Sequence, residues 1–324
     1  MQAIDKYINQ IIQGDCLGIM REMPDKCVDA IITDPPYNIG KDTWDKIVDY
    51  YDWLQCIFVE CQRILKENGT LWFFHISFSS LSEIHQRLIN NTSFVHKQLV
   101  IINKGLGSIA GRCNIEVLRS FPRATEYLQF YTFEDITGAE QLSEVYASKN
   151  PMAKYLKDEF KRANVSRKEI ATLFPSKTGG MTGCVSNWLI GYNFPLKEQY
   201  LKMREYLNNE YLRKEYEYLR KEYEDLRYKF ELPLSLTDVW DINFYNEPVN
   251  EHSTTKPINI YSRIIKTVTN ENNIILDCFS GLAPLAIACH RMNRRFICIE
   301  KEPKYVELSR RRLKEEMAQM RLEL

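Results

Sequence analysis

No run of apolar residues in this 324-residue chain approaches the roughly 18 that a membrane-spanning helix needs. The first thirty residues also lack the basic, apolar and small-residue order of a secretory leader, so a cytoplasmic protein is expected. No Cys-x-x-Cys pair is present: the nine cysteines are scattered and odd in number, and the five histidines stand at no ligand spacing to them. Reduced, mostly packed thiols follow, with no structural zinc. Net charge is missing too, since 43 Lys and Arg balance 43 Asp and Glu. That balance neither favours nor excludes a nucleic-acid partner, because binding follows local charge. Locally the balance fails: residues 151–195 hold seven Lys or Arg against three acids, which makes this stretch basic.

What is there is an apolar fraction of 44%, enough for one large α/β domain with a smaller module. The first 135 residues alternate short β-rich runs with helical patterns, as in a parallel sheet with crossover helices. Strands are expected at 9–13, 28–33, 70–76, 95–102 and 126–133. Residues 104–123, with Gly105, Gly107, Gly111 and Pro122, read as a mobile loop of functional length. Between 151 and 192 the pattern turns helical. Ser166-Arg167-Lys168-Glu169 fits a capping box, and helices at 167–174 and 182–190 read as a helix-turn-helix or an ordinary helical hairpin. In the first case Lys168, Lys177, Thr178, Thr182, Ser186 and Asn187 are the DNA-contacting candidates. Residues 211–217 recur at 218–224, and Leu212, Tyr216, Leu219, Tyr223, Leu226 and Phe230 form a helical seam. A stripe packed on its own protein is preferred there to a zipper in a homodimer. After Pro233 the α/β rhythm returns, with a helix at 257–268, a strand at 274–277, a helix at 283–291, a strand at 295–300 and a terminal helix from Tyr305.

The strongest chemical signal is Asp34-Pro35-Pro36-Tyr37, directly after the apolar run Val28 to Thr33. Ligands of open α/β sheets bind at the carboxyl ends of strands. Two prolines fix the backbone and remove two amide donors, leaving a carbonyl to face a substrate. An exocyclic base amine is a poor nucleophile until acceptors hold its hydrogens. Asp34 and the Pro35 carbonyl can do so while Tyr37 offers a stacking face. The plainer alternative is an acidic strand end followed by a proline turn. A second cluster, Asp277-Cys278-Phe279-Ser280-Gly281, follows another strand and opens a helix. Glu300, about twenty residues on, stands where ribose hydroxyls are usually accepted.

In these segments and their order the chain resembles the β group of DNA amino-methyltransferases, in which Asp-Pro-Pro-Tyr comes first and the cofactor segment last. The resemblance covers nearly everything outside residues 135–235, where that family places its variable target-recognition region. It implies a Rossmann-like, doubly wound α/β domain of the S-adenosylmethionine-dependent methyltransferase type, split into a catalytic half (1–135) and a cofactor half (236–324) around a helical insert (136–235). Gly14-Asp15-Cys16 resembles the family's contact to the cofactor adenine. His252-Ser253-Thr254-Thr255-Lys256-Pro257 resembles its His-x-Thr-x-Lys-Pro element, whose lysine lies near the cofactor carboxylate. Ala124-Thr125-Glu126-Tyr127 resembles the strand backing the target pocket. The implied catalytic set is Asp34, Pro35, Pro36 and Tyr37. The implied cofactor set is Asp15, Cys16, Asp34, His252, Thr254, Lys256, Asp277, Phe279, Gly281 and Glu300. The implied activity is methyl transfer from S-adenosylmethionine to adenine N6 in a short duplex sequence, with a restriction endonuclease as a candidate partner and no metal. Cytosine N4 is the nearest alternative; a DNA-binding chain without activity is the other. One departure stands out: Leu282-Ala283-Pro284-Leu285 replaces the second glycine and the threonines of the family.

Overall fold

In the computed structural model the described residues are 4–40, 45–105, 119–133, 150–176, 180, 182–225, 228–231, 236–242 and 255–322. The chain folds as two compact units, one of Met1–Glu134 with Lys229–Leu324 and one of Asp135–Tyr228.

Among the described residues the first unit has eight strands: β1 (Gln10–Gln13), β2 (Val28–Thr33), β3 (Leu65–His75), β4 (Val95–Asn103), β5 (Thr125–Thr132), β6 (Val239–Asp241), β7 (Ile274–Asp277) and β8 (Arg295–Glu300). They lie in the order β1-β8-β7-β2-β3-β5-β4-β6. Every pairing is parallel except those of β5, which runs antiparallel between β3 and β4, so the sheet is mixed. The central strands are buried on both faces and read as nearly unbroken apolar runs, which is how a two-sided sheet must be written. From the middle pair β2 and β7 the chain winds outward in opposite directions, to β3 on one side and β8 on the other. A crevice opens at such a reversal, beyond the carboxyl ends of the two strands. There Asp34 leaves β2 and Asp277 ends β7, with Ile31 paired to Leu276.

β3 starts five residues earlier than its expected 70–76, because Val28 pairs with Leu65 before the register slips to Ala30 opposite Thr70. The helices covering the sheet are α1 (Cys16–Arg21), α2 (Tyr50–Ile64) and α3 (Phe78–Asn91), and later in the chain α9 (Ile258–Val268), α10 (Pro284–Arg291) and α11 (Pro303–Leu322). α2 buries Tyr50, Leu54, Ile57, Phe58, Cys61 and Ile64, the one-sided stripe that docks a helix on a sheet.

The second unit holds α4 (Pro151–Arg162), α5 (Arg167–Ala171), α6 (Cys184–Leu189), α7 (Lys197–Tyr206) and α8 (Tyr216–Asp225) around a core that includes Leu156, Phe160, Trp188, Tyr200 and Leu219. The capping box forms: Ser166 Oγ accepts from Glu169 N at 3.2 Å, and Ser166 N donates to the Glu169 carboxylate at 2.7 Å. Both helices of the expected pair are shorter than their patterns. At the second, Thr182 lies before the helix, its hydroxyl donating to Phe174 O at 2.8 Å. The heptad seam is also broken. Leu212 sits at φ 53°, its N–H donated to the buried Glu159 at 2.7 Å and its carbonyl accepting from Tyr200 Oη at 3.0 Å, so no helix starts before Tyr216. Tyr216 and Leu219 turn into this unit's own core rather than toward a second copy. Phe230, expected as the last seam position, stacks instead on Phe130 of β5 (5.8 Å, 11°), and Glu231 N donates to Thr267 O at 2.8 Å. Residues 229–231 therefore pack with the first unit, whereas the sequence pattern places them in the insert.

Candidate active site

β2 delivers Asp34 to the crevice, and the turn that follows is held from several sides. Asp45, buried, accepts Asn38 N at 2.7 Å and Ile39 N at 3.0 Å through its two oxygens. Tyr50, the first residue of α2, donates its hydroxyl to the Pro36 carbonyl at 2.8 Å. Behind it stands His75, the last residue of β3, with Nε2 3.4 Å from Tyr50 Oη. Because His75 Nδ1 accepts the Ser77 amide at 3.0 Å, the ring proton resides on Nε2 and points at Tyr50. A directed relay results, from His75 through Tyr50 to the carbonyl of Pro36. Burial pushes His75 down to about 4, so the ring stays neutral, and its face supports Tyr37 with centroids 4.9 Å apart.

Asp34 is the centre of a charge cluster that the sequence does not announce. Its Oδ1 accepts the Tyr37 hydroxyl at 2.5 Å and its Oδ2 the Lys256 ammonium at 2.6 Å. Lys256, 4% exposed, also faces Glu126 at 3.4 Å, and Lys104 closes the set on Glu126 at 3.0 Å. Burial works against charge on Lys256, but Asp34 and then Glu126 outweigh it and lift its pKa. Burial likewise opposes charge on Glu126, and the two lysines prevail and hold it below the usual carboxylate range. At Asp34 burial is the larger influence and pushes the carboxyl up against the pull of Lys256.

Beside this cluster lies a cavity of about 380 Å³. The turn after β7 forms one wall, with Phe279, Ser280, Gly281 and Leu282; Glu300 at the end of β8 and Gly14 to Cys16 form another. Gly281 has φ 50°, and its amide donates to Glu300 Oε2 at 2.8 Å. Ala283 also stands in the left-handed region (φ 51°, ψ 50°) as the N-cap of α10, the conformation a glycine would adopt without strain. Asp277 does not line the cavity. It is fully buried, accepting Thr33 Oγ1 at 2.8 Å and Phe279 N at 3.1 Å, and so ties the two central strands together and shapes the turn. Burial pushes its carboxyl up to about 7. Thr255 Oγ1 and Ser280 Oγ are buried without a hydrogen-bond partner, and both residues border the cavity.

Asp15, Cys16, Asp34, Pro36, Lys256, Phe279, Gly281 and Glu300 thus border one space, with Tyr37 joined to it through Asp34 and Lys256 and Pro35 buried between Asp34 and Pro36. His252 and Thr254 lie outside the described residues, as do Lys177 and Thr178 of the insert. Lys168 is exposed and Ser186 and Asn187 half-buried, while the hydroxyl of Thr182 donates to Phe174 O. Lys256, expected beside a cofactor carboxylate, borders the cavity and pairs with Asp34 and Glu126. Glu126, His75, Tyr50, Asp45, Thr255 and Ser280 also belong to the site, although the sequence reading does not name them among its catalytic or cofactor residues. Glu126, Thr255 and Ser280 stand inside segments the sequence singles out, at 124–127, 252–257 and 277–281, and His75 ends the apolar run Leu71 to Phe74, whereas Tyr50 and Asp45 carry no such signal.

The chain matches the N6/N4 methylase family described as DNA methylase over residues 28–311. Among curated relatives, the DNA adenine methyltransferase YhdJ of Escherichia coli K12 is 24% identical over 309 residues, covering 94% of this chain and 82% of that one. The Type II methyltransferase M.HinfI of Haemophilus influenzae is 23% identical over 337 residues, covering 97% and 70%. Of solved structures, the M1.HpyAVI–SAM complex aligns with a TM-score of 0.52 at 19% identity, covering 94% of this chain and 99% of the other. The cytosine-N4-specific PvuII DNA methyltransferase aligns with a TM-score of 0.55 at 13% identity, covering 93% and 84%. At these identities the structural likeness speaks for the fold.

Proposed function

The chain belongs to the N6/N4 DNA methylase family, and on that footing we propose that it methylates N6 of adenine within a short duplex sequence, as a β-group enzyme of a restriction-modification system. The observation that carries this reading is the meeting of Asp34, at the end of β2, with the glycine turn after β7 on one cavity. S-adenosylmethionine, the family's methyl donor, supplies an electrophilic methyl group on its sulfonium. The residues around the cavity fit it. Asp15 and Glu300 are acceptors for its adenine and ribose, Phe279 and Trp53, rings 5.6 Å apart, give aromatic walls, and the unpartnered Thr255 and Ser280 hydroxyls remain for its polar groups.

The target base, turned out of the duplex, places its amine between Asp34 and the Pro35 carbonyl, with Tyr37 as the stacking surface. Since both Asp34 oxygens already accept hydrogen bonds, the amine displaces one donor. Lys256 has a second carboxylate waiting at 3.4 Å in Glu126, so its charge is not stranded when it releases Asp34. The relay through Tyr50 holds the Pro36 carbonyl out of competition and keeps the turn in place. Adenine is favoured by the Asp that opens Asp34-Pro35-Pro36-Tyr37, and YhdJ, similar along 94% of this chain, is named for that base. The Asp135–Tyr228 unit reads the sequence in this scheme, with Lys168, Ser186 and Asn187 among its contacts, and a nuclease of the same specificity is the partner.

Digestion to nucleosides after incubation with mixed-sequence duplex DNA and S-adenosylmethionine tests the assignment. N6-methyladenine is expected. N4-methylcytosine would move the reading to cytosine, and no methylated base together with no cofactor binding would leave a DNA-binding chain without activity.

A further inference from the structure

Four large apolar side chains of the α/β unit are more exposed than any others among its described residues: Phe121 at 98%, Val48 at 85%, Phe78 at 66% and Ile39 at 53%. They are not spread over the surface. Ile39 and Val48 belong to the segment after Asp34–Tyr37, Phe78 follows the carboxyl end of β3, and Phe121 precedes β5, whose first residues pair with the last residues of β4 at the same edge of the sheet. All four therefore lie toward the end of the sheet at which Asp34 leaves β2, and Val48 lines the cavity itself. Phe121 stands apart in being flanked at two residues on either side by exposed arginines, Arg119 and Arg123. Glu126 of the Asp34 cluster is five residues from Phe121, at most ~18 Å of extended chain. Arg123 is close enough to His75, the support of Tyr37, to disfavour charge on its ring.

An almost fully exposed phenyl ring flanked in sequence by two exposed arginines is costly in water and matches a nucleic-acid strand, which offers phosphates at intervals and base faces between them. Resting on the base-methylation reading above, we infer that Arg119, Phe121 and Arg123 form a wedge that holds the DNA open at the target nucleotide. Phe121 stacks into the gap that the extruded base leaves, and the two arginines bind phosphates on either side of it.

The test uses the full chain and a duplex carrying the methylated sequence, first located by sequencing the methylated product. Methylation is compared on this duplex and on one in which the target base is already mismatched. Phe121→Ala should lower kcat/KM at least 10-fold on the paired duplex and recover to within about 3-fold of the parent on the mismatched one, while cofactor affinity, read by titration calorimetry, is unchanged. Because Phe121 is solvent-exposed, the substitution leaves the fold intact, which thermal denaturation checks. Arg119→Gln with Arg123→Gln should weaken duplex binding and lower the slope of log affinity against log salt by about 2, one phosphate for each arginine. An equal loss on paired and mismatched duplexes, or full activity of Phe121→Ala on the paired one, overturns the wedge. A parent chain that methylates no DNA overturns instead the reading on which it rests.

Discussion

Replacing Lys256 by methionine keeps most of the apolar stem of the side chain and removes its charged, donating ammonium. In the folded chain Lys256 is 4% exposed, 2.6 Å from Asp34 and 3.4 Å from Glu126. The two carboxylates are not left equally stranded, because Glu126 keeps Lys104 at 3.0 Å whereas Asp34 keeps only the Tyr37 hydroxyl. Breaking a buried pair from one side costs ~3–5 kcal/mol. The Asp34 side chain is 20% exposed, so water relieves part of this and the lower end, ~3 kcal/mol at pH 7.5, is the expected loss. Its pH dependence has a definite sign. Without Lys256 the carboxyl pKa of Asp34 rises further in the folded state above its unfolded value, so the folded variant binds protons that the unfolded chain releases. The deficit is then small below about pH 4 and opens as pH rises toward 7. Urea denaturation of parent and Lys256→Met from pH 4 to 8 measures it. Lys256→Met with Asp34→Asn, which leaves no stranded charge, should regain most of the loss. A deficit under about 1 kcal/mol at pH 7.5, or one of the same size at pH 4, would refute the reasoning.

Ala283→Gly relieves a left-handed alanine at φ 51° and should stabilise the chain by up to ~1 kcal/mol, seen as a higher denaturation midpoint. Tyr50→Phe leaves the Pro36 carbonyl and His75 Nε2–H without their partner, so a stability loss of ~1–3 kcal/mol is expected. Its methyl-transfer rate should fall at least 10-fold with cofactor affinity unchanged; a fall in affinity alone would contradict a positioning role. Asp277, pushed by burial from 3.8 up to about 7, binds its proton more tightly folded than unfolded, so its contribution declines as pH rises from about 4 to 7. Asp277→Asn should remove that decline, at most ~4 kcal/mol, in urea titrations across the interval.

Much of the α/β unit is legible in the residues themselves, because central strands buried on both faces must be continuously apolar and their helices must carry one-sided stripes. The runs at 28–33, 274–277 and 295–300 became β2, β7 and β8 within those bounds. The same holds for the capping box at Ser166 and Glu169, whose partners are three residues apart. Asp34-Pro35-Pro36-Tyr37 and the turn at Gly281 are visible for a related reason, since each packs its chemistry into consecutive residues. The heptad pattern misleads because periodicity records which residues share a face and not which backbone groups are already taken; Glu159 and Tyr200 claim those of Leu212 and end the seam there. The site's charge balance was hidden likewise. Lys256 lies 222 positions from Asp34, and Glu126 comes from the one reversed strand, so only the closing of the sheet brings them within 4 Å. Local spacing writes strands, caps and turns; the pairing of buried charges is decided by strand order, which no stretch of sequence contains by itself.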